Sequence, residues 1–177
     1  AATAIGVVEL LAQHGLAISA DDINRGMREI RLPGRMQVLE NQPWLILDGA
    51  HNVLAAVNLT QTLQRLFPSR RSVLVLSIHQ DKAVDELCRV FADYADEIVV
   101  TTRRVLRRRQ ADPEKVAALC RQSGTLVHVT SSVSNALKMA RTITTPYDLI
   151  CVTGSFALVG ETMEVLQNLE PEETLSR

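Results

Sequence analysis

One apolar run in this chain stops abruptly at side chains able to do chemistry: Trp44-Leu45-Ile46-Leu47-Asp48-Gly49-Ala50-His51-Asn52. It reads as a buried strand that delivers Asp48, His51 and Asn52 to the edge of a sheet, with a helical pattern following. In an open α/β sheet ligands bind at the carboxyl ends of the strands, and a helix that starts just after the turn offers free N–H groups to anions. Asp48 is therefore a site candidate on its own. An ordinary Asp-Gly turn with His51-Asn52 as a solvated cap explains the same residues about equally well.

Further candidates stand at the ends of other apolar runs. Thr153-Gly154-Ser155 resembles a small-residue anion turn at a helix start, where Ser155 either caps the helix or offers its hydroxyl to a carboxylate. Lys82 is the one lysine of three that falls outside the helix interiors, so it is the one able to reach the rim as a point charge; a solvated helix start is the alternative. Arg103-Arg104 and Arg107-Arg108-Arg109 make a dense basic loop. With aromatics at only 3% of the chain it lacks the stacking platform of a single-strand binder, and a solvated loop is the expectation. No Gly-x-x-x-x-Gly-Lys-[Ser/Thr] loop occurs, nor a Gly-x-Gly-x-x-Gly after a strand, a zinc-ligand spacing or a Gly-x-Ser-x-Gly elbow. The chain by itself has no usual cradle for a triphosphate.

Among the elements that must carry these residues, Ala4, Val7, Val8 and Leu11 share a helical face ended by Gly15, and Ser19 with Asp21-Asp22 starts a second helix through Ile23, Met27 and Ile30. Pro33-Gly34 marks a boundary. Beyond it the period becomes that of strands, with a hairpin of residues 36–40 and 44–48 around Asn41-Gln42-Pro43. Strands at 72–76, 97–101, 126–130 and 149–153 then alternate with helical stripes, the fifth helix of the chain opened by the cap Asp112-Pro113 and the last lined by Leu158, Thr162, Val165, Leu166 and Leu169. Such alternation predicts an α/β fold: a Rossmann-like, doubly wound, mostly parallel sheet of about six strands with an initial hairpin and an N-terminal helical segment. In that topology the loops at Asp48, Ser77 to Lys82, Thr101 to Arg104, Thr130 to Ser132 and Thr153 to Ser155 share one rim.

A chain of 177 residues, 46% hydrophobic and 22% charged, can bury a real core. Its formal net charge of -1 gives no global attraction to nucleic acid or anionic membrane. Cys88, Cys120 and Cys151 are widely spaced and sit in apolar patterns, as reduced core residues of a cytoplasmic protein would. No apolar run approaches the roughly 20 residues that span a bilayer, and no signal-peptide pattern is present. A start without Met, directly in a helix, suggests a fragment or a processed product.

Leu32-Pro33-Gly34-Arg35, Leu47-Asp48-Gly49-Ala50-His51-Asn52, and Val152-Thr153-Gly154-Ser155 with Val159-Gly160-Glu161 occur in that order. Together they resemble the C-terminal domain of the folylpolyglutamate synthase and dihydrofolate synthase family, within the Mur ligase superfamily, over residues 1 to about 169. Val53 stands where the family usually has Pro, and Gln80-Asp81-Lys82-Ala83 replaces a usual Asp-Lys-Asp. The resemblance implies an ADP-forming ligase in which ATP activates a folate or dihydropteroate carboxylate as an acyl phosphate for attack by the amine of L-glutamate. It implies nucleotide contacts by Arg35 and Asp48 and glutamate contacts by His51 and Ser155, with Asn52 and Lys82 as further candidates. It places Mg mainly on a larger N-terminal ATPase domain, makes residues 1–31 the helical tail of that domain, 32–170 the ligase domain and 171–177 a frayed tail, and implies a monomeric parent. The isolated chain is then expected to be inactive. The other expectation is a stand-alone nucleotide- or partner-binding module without catalysis.

Overall fold

The computed structural model of the chain describes residues 2–104 and 109–167. Arg107 and Arg108 of the basic loop, Leu169 of the last helical stripe and the polar tail lie outside the described residues. The chain divides into two compact units, Ala1–Leu32 and Pro33–Arg177.

The first unit holds helices α1 (Ala2–Gln13) and α2 (Ala20–Glu29). Gly15 follows α1 with φ +93°, a conformation that favours glycine. Ser19 starts α2 as the sequence predicts, in a reciprocal capping box: its hydroxyl accepts from the Asp22 N–H, and the Asp22 carboxylate accepts from the Ser19 N–H, each at 3.1 Å. The Ser19 hydroxyl, 2.6 Å from Asp22 Oδ2, and then the Ser19 N–H hold the Asp22 carboxyl below its ordinary range. No residue of α2 is buried.

The second unit is a six-stranded sheet. Strands β1 (Gln37–Asn41) and β2 (Trp44–Leu47) form the antiparallel hairpin; then follow α3 (Val53–Leu66), β3 (Ser72–Leu76), α4 (Val84–Tyr94), β4 (Glu97–Thr101), α5 (Pro113–Arg121), β5 (Leu126–Thr130), α6 (Val133–Thr142), β6 (Leu149–Thr153) and α7 (Phe156–Gln167). The spatial order is β1-β2-β6-β3-β4-β5, and every pairing after the hairpin is parallel. The α/β class, the strand number and the opening hairpin agree with the sequence expectation.

Strands β3 and β6 are buried at every position because helices cover both faces of the sheet. Alternation divides their side chains: Leu74, Leu149 and Cys151 pack with Leu59, Leu87 and Val116 of α3, α4 and α5, while Val73, Ile150 and Val152 pack with Ala136 and Leu158 of α6 and α7. The chain runs outward from β2 to β5 with its helices on the first face. It then returns along the second face to insert β6 between β2 and β3. The segments leaving β2 and β3 therefore turn to one side and the segment leaving β6 turns to the other, which opens a crevice at the carboxyl ends of these three strands. Cys88, Cys120 and Cys151 are free and buried, as their apolar settings predict. Among the described residues no helix is long and apolar enough to cross a membrane.

Candidate functional site

Backbone pairing continues past the strand ends and sets the loops in register. The Asp48 N–H donates to Val152 O and the Gly154 N–H to Ala50 O, both at 3.0 Å, so the β2 and β6 loops run side by side. Gly154 has φ +100°, and a Cβ there would stand 2.7 Å from Ser77 O. Only glycine lets the β6 loop pass so close to the end of β3.

Asp48 is 7% exposed and works first as a backbone clamp. Its Oδ1 accepts from the Ala50 N–H and its Oδ2 from the Met36 N–H, both at 2.9 Å. Met36 has φ +43°, unusual for a side-chain-bearing residue, and a charged acceptor is a strong means of holding it. The Gly49 N–H donates to Gly34 O at 2.7 Å. Both flanks of Arg35 are thus pinned to the Asp48 loop, which fixes where this arginine enters the rim.

His51 sits with Nδ1 2.8 Å from Gly49 O. A carbonyl only accepts, so Nδ1 is the donor and Nε2 is left for a ligand. Asn52 is the N-cap of α3, its Oδ1 accepting from the Ala55 N–H at 2.8 Å. Ser155 is buried, and its hydroxyl accepts from the Leu158 N–H at 3.2 Å in the first turn of α7, which leaves the hydroxyl proton to donate elsewhere.

A cleft of about 320 Å³ lies in the crevice, lined by His51, His79, Asp81, Lys82, Arg109, Ser155, Phe156 and Ala157. It brings His51, Ser155 and Lys82 together; Arg35 and Asp48 do not line it. Lys82 Nζ is 3.1 Å from Asp81 Oδ2. Arg109 is delivered by an added stretch of pairing: the Gln80 N–H donates to Arg109 O at 2.8 Å and the Ala111 N–H to Ile78 O at 2.9 Å. Burial, reinforced by the Arg103 guanidinium, pushes His79 below the usual imidazole range.

Phe156 was invisible to residue-by-residue reading because it looks like the first apolar position of α7. It is 43% exposed and lies between two of the candidates. The Arg35 guanidinium stands 4.5 Å over its ring centroid, and the His51 ring is tilted against it at 5.8 Å. Arg109 was likewise missed as a rim residue, since the pairing that positions it joins segments far apart in sequence, while His79 lies in the 77–82 loop expected at the rim but was not singled out within it.

The expectation of a solvated basic loop is corrected at Arg103, which is 1% exposed. Its Nε donates to Ser77 Oγ at 2.8 Å, and Glu161 of α7 offsets part of the burial that lowers its pKa. The Arg104 N–H donates to Glu161 Oε2 at 2.8 Å, and its guanidinium pairs with Glu164 at 2.7 Å. Two acidic residues of α7 draw this segment onto the domain, a pairing that a loop's composition does not disclose.

The imidazole, hydroxyl and two cationic side chains are gathered at the switch point, where domains of the doubly wound class bind their ligands. The family model for the Mur ligase, glutamate ligase domain, matches residues 34–156, and the chain belongs to that family. It is 33% identical over 155 residues to a probable bifunctional folylpolyglutamate synthase/dihydropteroate synthase of Haloferax volcanii, covering 87% of this chain and 18% of that protein. Among solved structures it is similar to the E. coli enzyme FolC in complex with DHPP and ADP, with TM-score 0.79, 27% identity and coverage of 91% of this chain and 37% of the other. A bifunctional folylpolyglutamate synthase/dihydrofolate synthase with Mn, AMPPNP and L-glutamate bound matches with TM-score 0.74, 27% identity and coverage of 90% and 38%. The chain thus spans less than two-fifths of each of these proteins. The resemblance drawn from the three sequence motifs is borne out.

Proposed function

We propose that this chain is the glutamate-ligase domain of an ATP-dependent, ADP-forming ligase that joins L-glutamate to a folate or dihydropteroate carboxylate. The observation that carries the reading is the convergence of His51, Ser155, Lys82 and Arg109 on one cleft at the switch point. L-Glutamate offers two carboxylates and an amine. Lys82 and Arg109 supply cations that outnumber the single Asp81, the Ser155 hydroxyl supplies a donor, and His51 Nε2 can hold or receive a proton beside the amine. The chemistry needs the amine held in line with the activated carboxylate, and a fixed cleft supplies that positioning.

Arg35 and Asp48 belong to the nucleotide side in this reading. Each Asp48 oxygen accepts one backbone N–H and keeps a second lone pair for a ribose hydroxyl. The similar structures carry ADP or AMPPNP, one of them with Mn. Among the described residues no group of three or more His, Cys, Asp or Glu is placed to hold a metal ion. No step of this domain is routed through a divalent ion; Mg and the phosphate cradle are assigned in this reading to an N-terminal ATPase domain. Helices α1 and α2 belong with that domain in the same reading, and 32–170 is the ligase domain proper.

The test is ADP release by the polypeptide that carries this chain, with glutamate and with tetrahydrofolate or dihydropteroate offered separately, beside the isolated 177-residue chain. Glutamate-dependent release is expected from the former and none from the latter. Ser155→Ala should raise the glutamate requirement with little change in that for ATP. Release that needs no glutamate would refute the assignment, and nucleotide binding without turnover would favour a stand-alone binding module.

A further inference from the structure

Phe156 is a large apolar side chain left partly open at the rim of a polar cleft, and its neighbours are shaped around it. A Cβ on Gly49 would stand 2.5 to 2.7 Å from three atoms of its ring, and one on Gly34 would reach the ring at 3.4 Å and Val159 Cγ1 at 2.9 Å. The ring therefore rests on two bare backbone positions. Gly34 directly precedes Arg35 and Gly49 supplies the carbonyl that orients His51. Those two glycines are themselves hydrogen-bonded to each other. Above this bed, the guanidinium of Arg35 meets the ring at 4.5 Å and the imidazole of His51 meets it at 5.8 Å with 56° between the planes. A cation over an aromatic face and a tilted ring pair are both directional attractions. One ring thus restrains two side chains that come from different loops.

We propose that Phe156 is a positioning residue that seats Arg35 and His51 on a single aromatic platform, so that the nucleotide side and the amino-acid side of the site are set together. The inference rests on the ligase reading of the site. Arg35 is exposed, and a freely rotating arginine would lose much side-chain entropy on meeting a nucleotide; resting on the ring removes part of that loss beforehand. His51 Nε2 is aimed by two restraints at once, the Gly49 carbonyl at Nδ1 and the ring at its side. Loosening the platform should therefore weaken the use of ATP and of glutamate in one stroke, which neither Arg35 nor His51 substitutions would do alone.

The experiment compares wild type with Phe156→Ala, Phe156→Leu and Phe156→Tyr in the polypeptide that carries this chain, following ADP release with ATP and glutamate varied separately. Phe156→Ala should raise both KM values about five-fold or more with a smaller fall in kcat. Phe156→Leu fills the space over Gly49 but has no π face, so its ATP KM should rise more than its glutamate KM. Phe156→Tyr, which keeps the ring, should recover most of the loss. A merely structural role predicts a lower kcat at unchanged KM values in all three, and that result overturns the proposal. In the isolated chain, the His51 ring-proton NMR signals should shift in Phe156→Leu as the ring current is removed; unshifted signals also overturn it. Wild type that releases ADP without glutamate overturns the ligase reading and the coupling with it. That failure is seen before any variant is made, whereas failure of the platform alone is seen only in the variants.

Discussion

The strength of a helix's local start signal and its burial run opposite ways in the two units of the chain. Helix α2 has a complete capping box and an acidic first turn, yet none of its residues is buried. Helix α7 starts from a single serine and buries Leu158, Val159, Glu161 and Thr162. Leu10 of α1 is 57% exposed, while Leu74 of β3 is completely enclosed. A cap decides where a helix starts; only a complementary surface decides whether its apolar stripe is removed from water. The sheet offers such a surface on both faces.

The largest expected effect separates the units through these two leucines. Leu74→Ala empties a site with helices packed over it, and should lower stability by about 2–5 kcal/mol. Leu10→Ala removes a side chain already largely in water and should stay within about 0.5 kcal/mol. Urea unfolding of both variants checks this, and comparable losses would erase the distinction. Removing residues 1–32 altogether should leave the remaining chain a cooperative unfolding transition at nearly the same midpoint. A truncated chain that fails to fold would show that α1 and α2 are integral to the domain.

A smaller effect sharpens the comparison with two aspartates. Asp22 closes its capping box on the surface of α2, whereas Asp48 clamps two backbone N–H groups in a nearly closed setting. Asp48→Ala orphans both donors and releases Met36 from its unusual backbone angle, for an expected loss of about 2–3 kcal/mol even with no ligand present. Asp48→Asn keeps one good acceptor and should lose less. Asp22→Ala should shift the main unfolding transition far less than either. If Asp48→Ala proves as stable as wild type, the clamp contributes nothing and the residue serves ligand alone.

The fold was legible because its pattern is regular: four of the six strands, from Ser72–Leu76 to Leu149–Thr153, fall where period and length put them, and Asp112-Pro113 opens α5 as its sequence predicts. The first two strands lie within a residue of expectation, an ordinary uncertainty at a strand end. The gathering of His51, Ser155 and Lys82 was legible for a topological reason, since carboxyl ends of parallel strands share a rim whatever the side chains are. Arg109 was not, because the pairing of 78–80 with 109–111 that brings it there is tertiary. Phe156 was hidden by its own type: an aromatic at a helix start looks like core until the glycines beneath it are seen. Arg103 was hidden by its neighbours, since a run of arginines suggests solvent and the acid that offsets its burial, Glu161, lies on α7.

The subtlest effect concerns how dry the rim of the sheet unit is, measured at His79. Burial is the main cause holding this imidazole below its ordinary range, with Arg103 and Lys82 adding to the shift and Asp81 opposing it. The folded state therefore resists a proton that the unfolded chain accepts at about pH 6.5. The stability tied to the neutral ring is fully present above that pH. It declines as the pH falls below it, through the window that ends at the lowered folded value, because the unfolded state there binds more protons. His79→Gln removes this component, so between pH 7.5 and 5.5 its urea midpoint should fall less than that of wild type, by a margin expected to be small because the ring is only partly enclosed. Parallel declines would show that water reaches the ring freely. Asp81→Asn in a chain that keeps His79 should steepen the decline relative to wild type, since the negative charge that favours the imidazolium is then gone.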